Sequence, residues 1–324
     1  MSHVFGRGEG LPRVVRGRGC ELWDADGRRY LDAAGGAVVV GIGHGAEPVA
    51  EAIRAQSAEV AYAHGASFTS DALEAYADEL AAIVPVDDAR VYPVSGGSEA
   101  IETALKMARA YHLARGEDRH VVVGRWGAYH GNTIAALDVG GREPLRAPYL
   151  PWLGQAQHTL AAYEYRCPFP DTHPRGCGAR YAEALERTIV EAGAGTVAAF
   201  VAEPIAGAAL AAAVPPDDYW PSVVDVCRRH SVLVIADEVM TGFGRTGRWF
   251  GCDHWNVRPD ILVAAKGAAS GYWPLGLAVA SGQVWQAISA MGFTHGFTYS
   301  HHLVGAAAGR AVLRILRERD LVAA

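Results

Sequence analysis

Apolar positions along the chain follow two periods. Short, continuous, partly β-branched runs at 121–124, 197–202, 232–236 and 261–265 predict strands buried on both faces of a largely parallel sheet. Residues 276–281 predict a further, returning strand. Around these runs, apolar residues recur at three- and four-residue spacing over 47–60, 71–83, 97–109, 180–191, 218–230 and 303–319, which predicts helices, with a short one over 284–290. Pro85 stops the helix predicted over 71–83. Strands alternating with helices point to an α/β fold. Near the amino terminus the pattern changes: Glu21 to Asp32 alternates about an Asp26-Gly27 turn, a β-hairpin. Residues 140–178 hold many prolines, glycines and aromatics with little period and read as an extended loop.

A chain of 324 residues, half of them hydrophobic and a fifth charged, can bury a large core in one big domain with a smaller appendage, or in two domains. The net charge of −6, with no stripe of Lys and Arg, gives no footprint for nucleic acid, so no such partner is expected. No apolar h-region precedes Pro12, and no run of 18 apolar residues lacks charges or glycines. Neither secretion nor membrane insertion is therefore expected, and the cytoplasm is the expected compartment. Five scattered cysteines without a C-x-x-C pair read as reduced packing residues.

The candidate chemistry lies at strand ends. The run 232–236 ends in Asp237-Glu238-Val239 and the run 261–265 ends in Lys266. In a parallel sheet, ligands sit in the crevice outside the carboxyl ends of the strands. A lysine against apolar walls loses its proton more readily and can attack a carbonyl, while an aspartate can hold a pyridine nitrogen protonated. Together they match the needs of a pyridoxal phosphate enzyme, whereas either alone could cap a strand in solvent. Between them, Gly242-Phe243-Gly244-Arg245-Thr246-Gly247 matches G-x-G-x-x-G, but no helix opening follows, so the dinucleotide fingerprint is incomplete.

Ser95-Gly96-Gly97-Ser98 leads into an amphipathic helix, where the N–H groups of Gly97 and Ser98 form an anion site, or where Ser95 or Ser98 simply caps the helix. Tyr129 follows a strand and could stack on a planar ring or only pack. The spacing Gly41-x-Gly43-x-Gly45 suits phosphate binding or, more simply, tight packing. His301 and His302 are adjacent but have no matching ligand set, so no metal site is expected.

In order, Ser95-Gly96-Gly97-Ser98-Glu99-Ala100, Tyr129-His130-Gly131-Asn132-Thr133, Glu203-Pro204, Asp237-Glu238-Val239 with the glycine loop after it, Lys266-Gly267, and Phe297-Thr298-Tyr299-Ser300 resemble the class III pyridoxal-phosphate-dependent aminotransferases of fold-type I. The resemblance spans nearly the whole chain. It implies a large domain with a mostly parallel buried sheet flanked by helices, and a small domain that includes the amino-terminal hairpin. The division implied is 1–60 for the amino-terminal segment, 61–305 for the cofactor domain and 306–324 for a linking helix.

By the same resemblance, Lys266 carries pyridoxal 5′-phosphate through a Schiff base and moves the reacting proton, and Asp237 pairs with the ring nitrogen. Val239 and Tyr129 flank the ring, Gly97 and Ser98 hold the phosphate, and Glu203 lies on the substrate side. Thr298 reaches the phosphate of a neighbouring subunit, implying a homodimer. The reaction implied is transfer of an amino group from a donor to a keto acid. Met240, where glutamine is common in members acting on ornithine or 4-aminobutyrate, makes the chain similar to the omega-amino acid and amine:pyruvate branch.

Two departures stand out: Ser300-His301-His302-Leu303 replaces the family's Ser-Gly-His-Pro, and the carboxy-terminal subdomain of the family is not expected in this chain. The alternatives left open are an aminomutase or decarboxylase on the same scaffold, or a truncated, non-catalytic relative.

Overall fold

A computed structural model describes residues 3–5, 8, 10–169, 171 and 177–324. Among them, β1 (Val14–Arg18), β2 (Glu21–Asp24) and β3 (Arg29–Leu31) form a small antiparallel sheet, with Leu22 opposite Tyr30 across the expected hairpin. The turn is held by Asp24, whose carboxylate accepts from the Tyr30 hydroxyl at 2.7 Å and from the Asp26 and Arg28 N–H groups. The sequence pattern predicts the hairpin of β2 and β3 but not the strand β1 beside it.

The main sheet contains β4 (Arg90–Val94), β5 (Val121–Arg125), β6 (Gln157–Thr159), β7 (Val197–Ala202), β8 (Leu233–Asp237), β9 (Ile261–Ala264) and β10 (Gly276–Ala280). Their spatial order is β4-β10-β9-β8-β7-β5-β6. From β6 through β9 every pairing is parallel, and β10 runs antiparallel to both β9 and β4. Being antiparallel to the same strand, β4 and β9 point the same way. Strand β6 interrupts the segment expected to be an irregular loop. Its sequence Gln-His-Thr has no apolar run, because an edge strand paired on one side need not bury both faces.

Side-chain alternation fixes what each face touches. Ala199, Val201, Leu233, Ile235, Ile261 and Val263 pack on the side of the helices Gly97–Ala114 and Gly282–Met291. Phe200, Ala202, Val234 and Ala236 turn to the helices Cys177–Glu191 and Tyr219–Arg229. Further along the sheet, Leu262, Ala264, Leu277 and Val279 meet the helices Asp71–Ala81 and Leu303–Glu318, with Val49 of the helix Glu47–Glu59 in the same cluster. Continuous apolar strands are thus explained by cover on both faces. Among the described residues, no helix is long and apolar enough to cross a membrane. The division expected between 305 and 306 falls inside the helix Leu303–Glu318.

Glycines at 43 and 45 serve packing. A Cβ on Gly43 would lie 3.1 Å from the Gly19 Cα, and one on Gly45 would lie 3.2 Å from the Gly17 carbonyl, where the chain bridges to the small sheet. His301 packs edge-on against Tyr92 and His302 lies tilted against Trp273. The cysteines do not share one role: Cys227 and Cys252 are buried, Cys20 is exposed, and Cys167 touches Cys177.

Candidate active site

Five parallel strands, β4, β9, β8, β7 and β5, bring their carboxyl ends to one edge of the sheet, and reversed β10 brings its amino end there. A cavity of about 400 Å³ opens at that edge. Its wall takes Gly97 and Ser98 from beyond β4, Tyr129 and His130 from beyond β5, Glu203 from beyond β7, Asp237 from the end of β8, Val239 from just past it, and Lys266 from beyond β9. Of the eight residues to which the family resemblance gives a place at the cofactor, Thr298 alone is not in that wall. Thr298 is exposed, and its carbonyl accepts from the Tyr62 hydroxyl at 2.9 Å.

The turn from β4 into the helix Gly97–Ala114 favours an anion. Its N-cap is Gly96, and no side chain caps the helix, so neither Ser95 nor Ser98 plays the capping role. The Ser98 hydroxyl instead donates to Asn132 Oδ1 at 2.9 Å and accepts from the Asn132 N–H at 3.1 Å. Gly131 permits this contact. Its φ is +138°, and a Cβ there would sit 2.5 Å from Ser98 Oγ.

Space beside the turn is equally restricted. A Cβ at Gly97 would approach Val239 Cγ2 to 3.2 Å, and one at Gly276 would come within 2.2 Å of the Gly96 carbonyl oxygen. Gly276→Ala should therefore cost about 1–3 kcal/mol of stability, the range for forcing an extra carbon into a packed site. It should also weaken retention of a phosphate ligand, because the backbone displaced is the turn itself. A melting curve with equilibrium dialysis checks this, and an unshifted melt with unchanged retention would refute the packing described.

Asp237 is 3% exposed. One carboxylate oxygen accepts from the Val239 N–H at 3.0 Å, and the other accepts from His130 Nδ1 at 2.7 Å. His130 is itself buried, and its Nε2 has no hydrogen-bond partner among the described residues. The bond to a carboxylate places the ring proton on Nδ1 and so fixes the tautomer. No role had been assigned to His130 from sequence; its only signal was its place next to Tyr129 beyond a strand end.

Glu203 is buried and accepts from the Tyr129 N–H at 3.1 Å and the Gly207 N–H at 2.7 Å. Burial pushes its carboxyl above the usual range, and the nearby Asp237 carboxylate adds to the rise. Buried Arg125 holds the Glu203 carbonyl at 2.7 Å, a second residue that sequence reasoning missed. The space above Gly207 is filled by Met240, whose Cε would lie 2.2 Å from a Cβ there.

Next to Asp237, Glu238 turns away from the cavity. Its carboxylate accepts from the Gly251 and Cys252 N–H groups at 2.8 and 2.7 Å and from the Thr241 hydroxyl. It therefore organises the glycine loop, which forms turns and a short 3-10 segment, Gly251–Trp255, in place of a dinucleotide-binding helix.

Lys266 sits on left-handed backbone with φ 42°, a conformation that costs a residue with a Cβ about 1–3 kcal/mol and that concentrates at functional sites. Desolvation lowers its pKa below the ordinary 10.5, and the positive charge of Arg245 acts in the same direction; Asp237 and Glu203 oppose the shift but do not cancel it. A depressed lysine pKa means that the neutral, nucleophilic amine persists as the pH falls until that lower pKa is reached. Capture of an aldehyde by this residue should accordingly rise with pH and level off below pH 10.5. Rapid-mixing absorbance across pH tests this, and a midpoint at or above 10.5 would contradict it.

A cavity lined by an uncapped helix start, a buried carboxylate and a poorly solvated amine suits a flat, phosphorylated, aldehyde-bearing ring. Comparison with known proteins points the same way. The family model described as Aminotransferase class-III matches residues 6–324. Putrescine--pyruvate aminotransferase of Pseudomonas aeruginosa is 37% identical over 317 residues, covering 97% of this chain and 69% of that protein. Taurine--pyruvate aminotransferase of Rhodobacter capsulatus is 36% identical over 321 residues, covering 96% and 68%.

Among solved structures, a thermostable (S)-enantioselective omega-transaminase from Thermomicrobium roseum superposes with a TM-score of 0.93 at 38% identity, covering 99% of this chain and 74% of that one. An amine transaminase from an uncultivated Pseudomonas species, in its PLP-bound form, gives 0.94 at 38% identity, covering 100% and 76%.

Proposed function

The chain belongs to the class-III aminotransferases, which use pyridoxal phosphate, and from that premise we propose that it moves an amino group from an amine or omega-amino acid to a keto acid such as pyruvate. The observation that carries the proposal is the convergence of Lys266, Asp237 and the Gly97–Ser98 turn on one cavity.

The residues present fit the cofactor. Gly97 and Ser98 would hold its phosphate with N–H groups that no side chain caps. Asp237 would pair with its ring nitrogen, Val239 and Tyr129 would lie against its faces, and Lys266 would bind its aldehyde carbon. When bound, the cofactor supplies an electron sink that makes a proton on the donor's carbon acidic.

The chain's own residues do the rest. Lys266, neutral at lower pH than an ordinary lysine, takes that proton and returns it as general base and acid. Asp237 keeps a positive charge on the ring favourable, and His130 keeps Asp237 oriented by its hydrogen bond. Glu203, tied to the Tyr129 and Gly207 N–H groups, orients the Tyr129 segment.

The substrate side supports an amine donor. Val39, Ala208, Met240 and Trp273 give that part of the wall an apolar character, which suits a hydrocarbon substituent. The relatives named putrescine--pyruvate and taurine--pyruvate aminotransferase give the donor classes to try first. Single-turnover conversion of the bound cofactor to its amine form, with diamines, monoamines and omega-amino acids in turn and then with pyruvate or 2-oxoglutarate, tests the assignment. Conversion by none of these donors would refute it.

The functional unit we favour is a cytoplasmic homodimer. In it, residues 1–60 and the helix from 306 lie on the small-domain side of 61–305, and Thr298, exposed in one copy, reaches the phosphate of the other. Sedimentation with and without cofactor, comparing the parent with Thr298→Ala, tests this. A monomeric holoenzyme that keeps full cofactor affinity would exclude the shared site.

A further inference from the structure

We propose that Cys167 and Cys177 form a redox-modification site, a dithiol that closes to a disulfide by exchange with a small-molecule disulfide. The two sulfur atoms stand 2.9 Å apart, with the Cys167 thiol directed at Cys177, and neither cysteine is joined in a disulfide. A disulfide bond is about 2.05 Å long, so closure needs a movement on the order of 1 Å. Neither residue lines the cavity that holds Lys266.

Packing imposes this approach. Cys167 ends the 3-10 turn Glu164–Arg166, and its N–H donates to the Glu164 carbonyl at 3.0 Å. Cys177 opens the helix Cys177–Glu191, whose next two N–H groups, of Gly178 and Ala179, donate to the Asp218 carboxylate at 3.1 and 2.9 Å. One turn further on, the Tyr181 hydroxyl donates to the Tyr163 carbonyl at 3.2 Å and ties the two segments together. The sulfurs therefore meet because two anchored elements hold them, and the same anchors hold the geometry when the bond forms.

Accessibility assigns the roles. Cys167 is half-buried and Cys177 buried, so Cys167 meets the external disulfide first. Its thiol gives a proton to solvent, and the thiolate attacks one sulfur of the small disulfide. That S–S bond breaks, and the departing thiolate takes up a proton. Cys177, deprotonated in turn, attacks Cys167 Sγ and expels the second small thiolate, which is also protonated. Two cysteine thiols are oxidised to one disulfide, and one small disulfide is reduced to two thiols.

The molecule carries its own controls. Cys227 and Cys252 are buried, and burial pushes both thiols well up, which keeps them protonated and unreactive. Cys20 is exposed and should stop at the mixed disulfide.

The test uses the holoenzyme equilibrated in mixtures of reduced and oxidised glutathione, quenched in acid, alkylated and analysed by intact mass and peptide mapping. We expect a species lacking two hydrogens, a cross-linked peptide joining Cys167 to Cys177, reversal by excess reduced glutathione, and a melting temperature raised on the order of 5 °C. Cys177→Ser should stop at a glutathione adduct on Cys167, and Cys167→Ser should leave Cys177 unmodified.

Full alkylation of both thiols in the most oxidising buffer would overturn the proposal, as would a cross-link from either to another cysteine. So would a metal ion in the native mass of the reduced protein that a chelator removes, since the pair would then be metal ligands. If a serine variant fails to fold, the peptide map of the parent protein decides alone.

Discussion

Lys266→Ala is expected to abolish transamination, lowering turnover by at least about 10⁴-fold, because one substitution removes both the nucleophile that joins the cofactor and the group that carries the reacting proton. The fold should survive it. Alanine and lysine both carry a Cβ, so the strain at φ 42° is unchanged, and a half-buried amine with a desolvation penalty is removed. The Gly97–Ser98 turn and Asp237 remain, so cofactor should be retained through dialysis but should leave the chain on denaturation even after borohydride treatment, which fixes it covalently only where an imine to Lys266 exists. Activity above a tenth of the parent's would rule out Lys266 as the reacting amine.

The second large effect is expected at Asp237. Asp237→Asn keeps the size of the side chain but removes the charge that favours a protonated ring, and turnover should fall by about 10³-fold, the scale of losing one preorganised electrostatic contact. The asparagine oxygen can still accept from one of the two present donors, the Val239 N–H or His130 Nδ1, but its amide cannot take up the other. His130→Asn should cost less, about 10-fold to 100-fold, because it disturbs only the support of Asp237. Turnover measured with saturating donor separates the two. A loss under tenfold for Asp237→Asn, or an equal loss for His130→Asn, would contradict the roles given.

The contrast between those two residues shows how far sequence could be read. Asp237 was legible because it ends an apolar run, and a charge at the end of a buried strand is visible one residue at a time. His130 was present in a quoted motif but had no role, since its partner lies 107 residues away and their meeting depends on β5 and β8 both flanking β7. Arg125 was missed for the same reason, its hydrogen bond being to a carbonyl 78 residues on. Strand β6 escaped because Gln157, His158 and Thr159 carry no strand pattern, and its parallel pairing with β5 supplies what the pattern lacks. The alternative of Ser98 as a helix cap gave way to its bond with Asn132, for which the absence of a Cβ at Gly131 leaves room.

Local chemistry settled much in advance, though not the strands β1, β4 and β6: the buried strands β5, β7, β8, β9 and β10, the long helices, where the hairpin turns, and that an acid and a lysine stand at strand ends. These follow from side-chain period and turn chemistry over a few residues. Tertiary structure alone decided which strand ends are neighbours, that β10 runs backwards between β9 and β4, and that Cys167 and Cys177 touch. The physical reason is that strand order and contacts between distant elements come from burying whole faces against each other. That energy belongs to pairs of elements far apart in the chain, so no short stretch of sequence contains it.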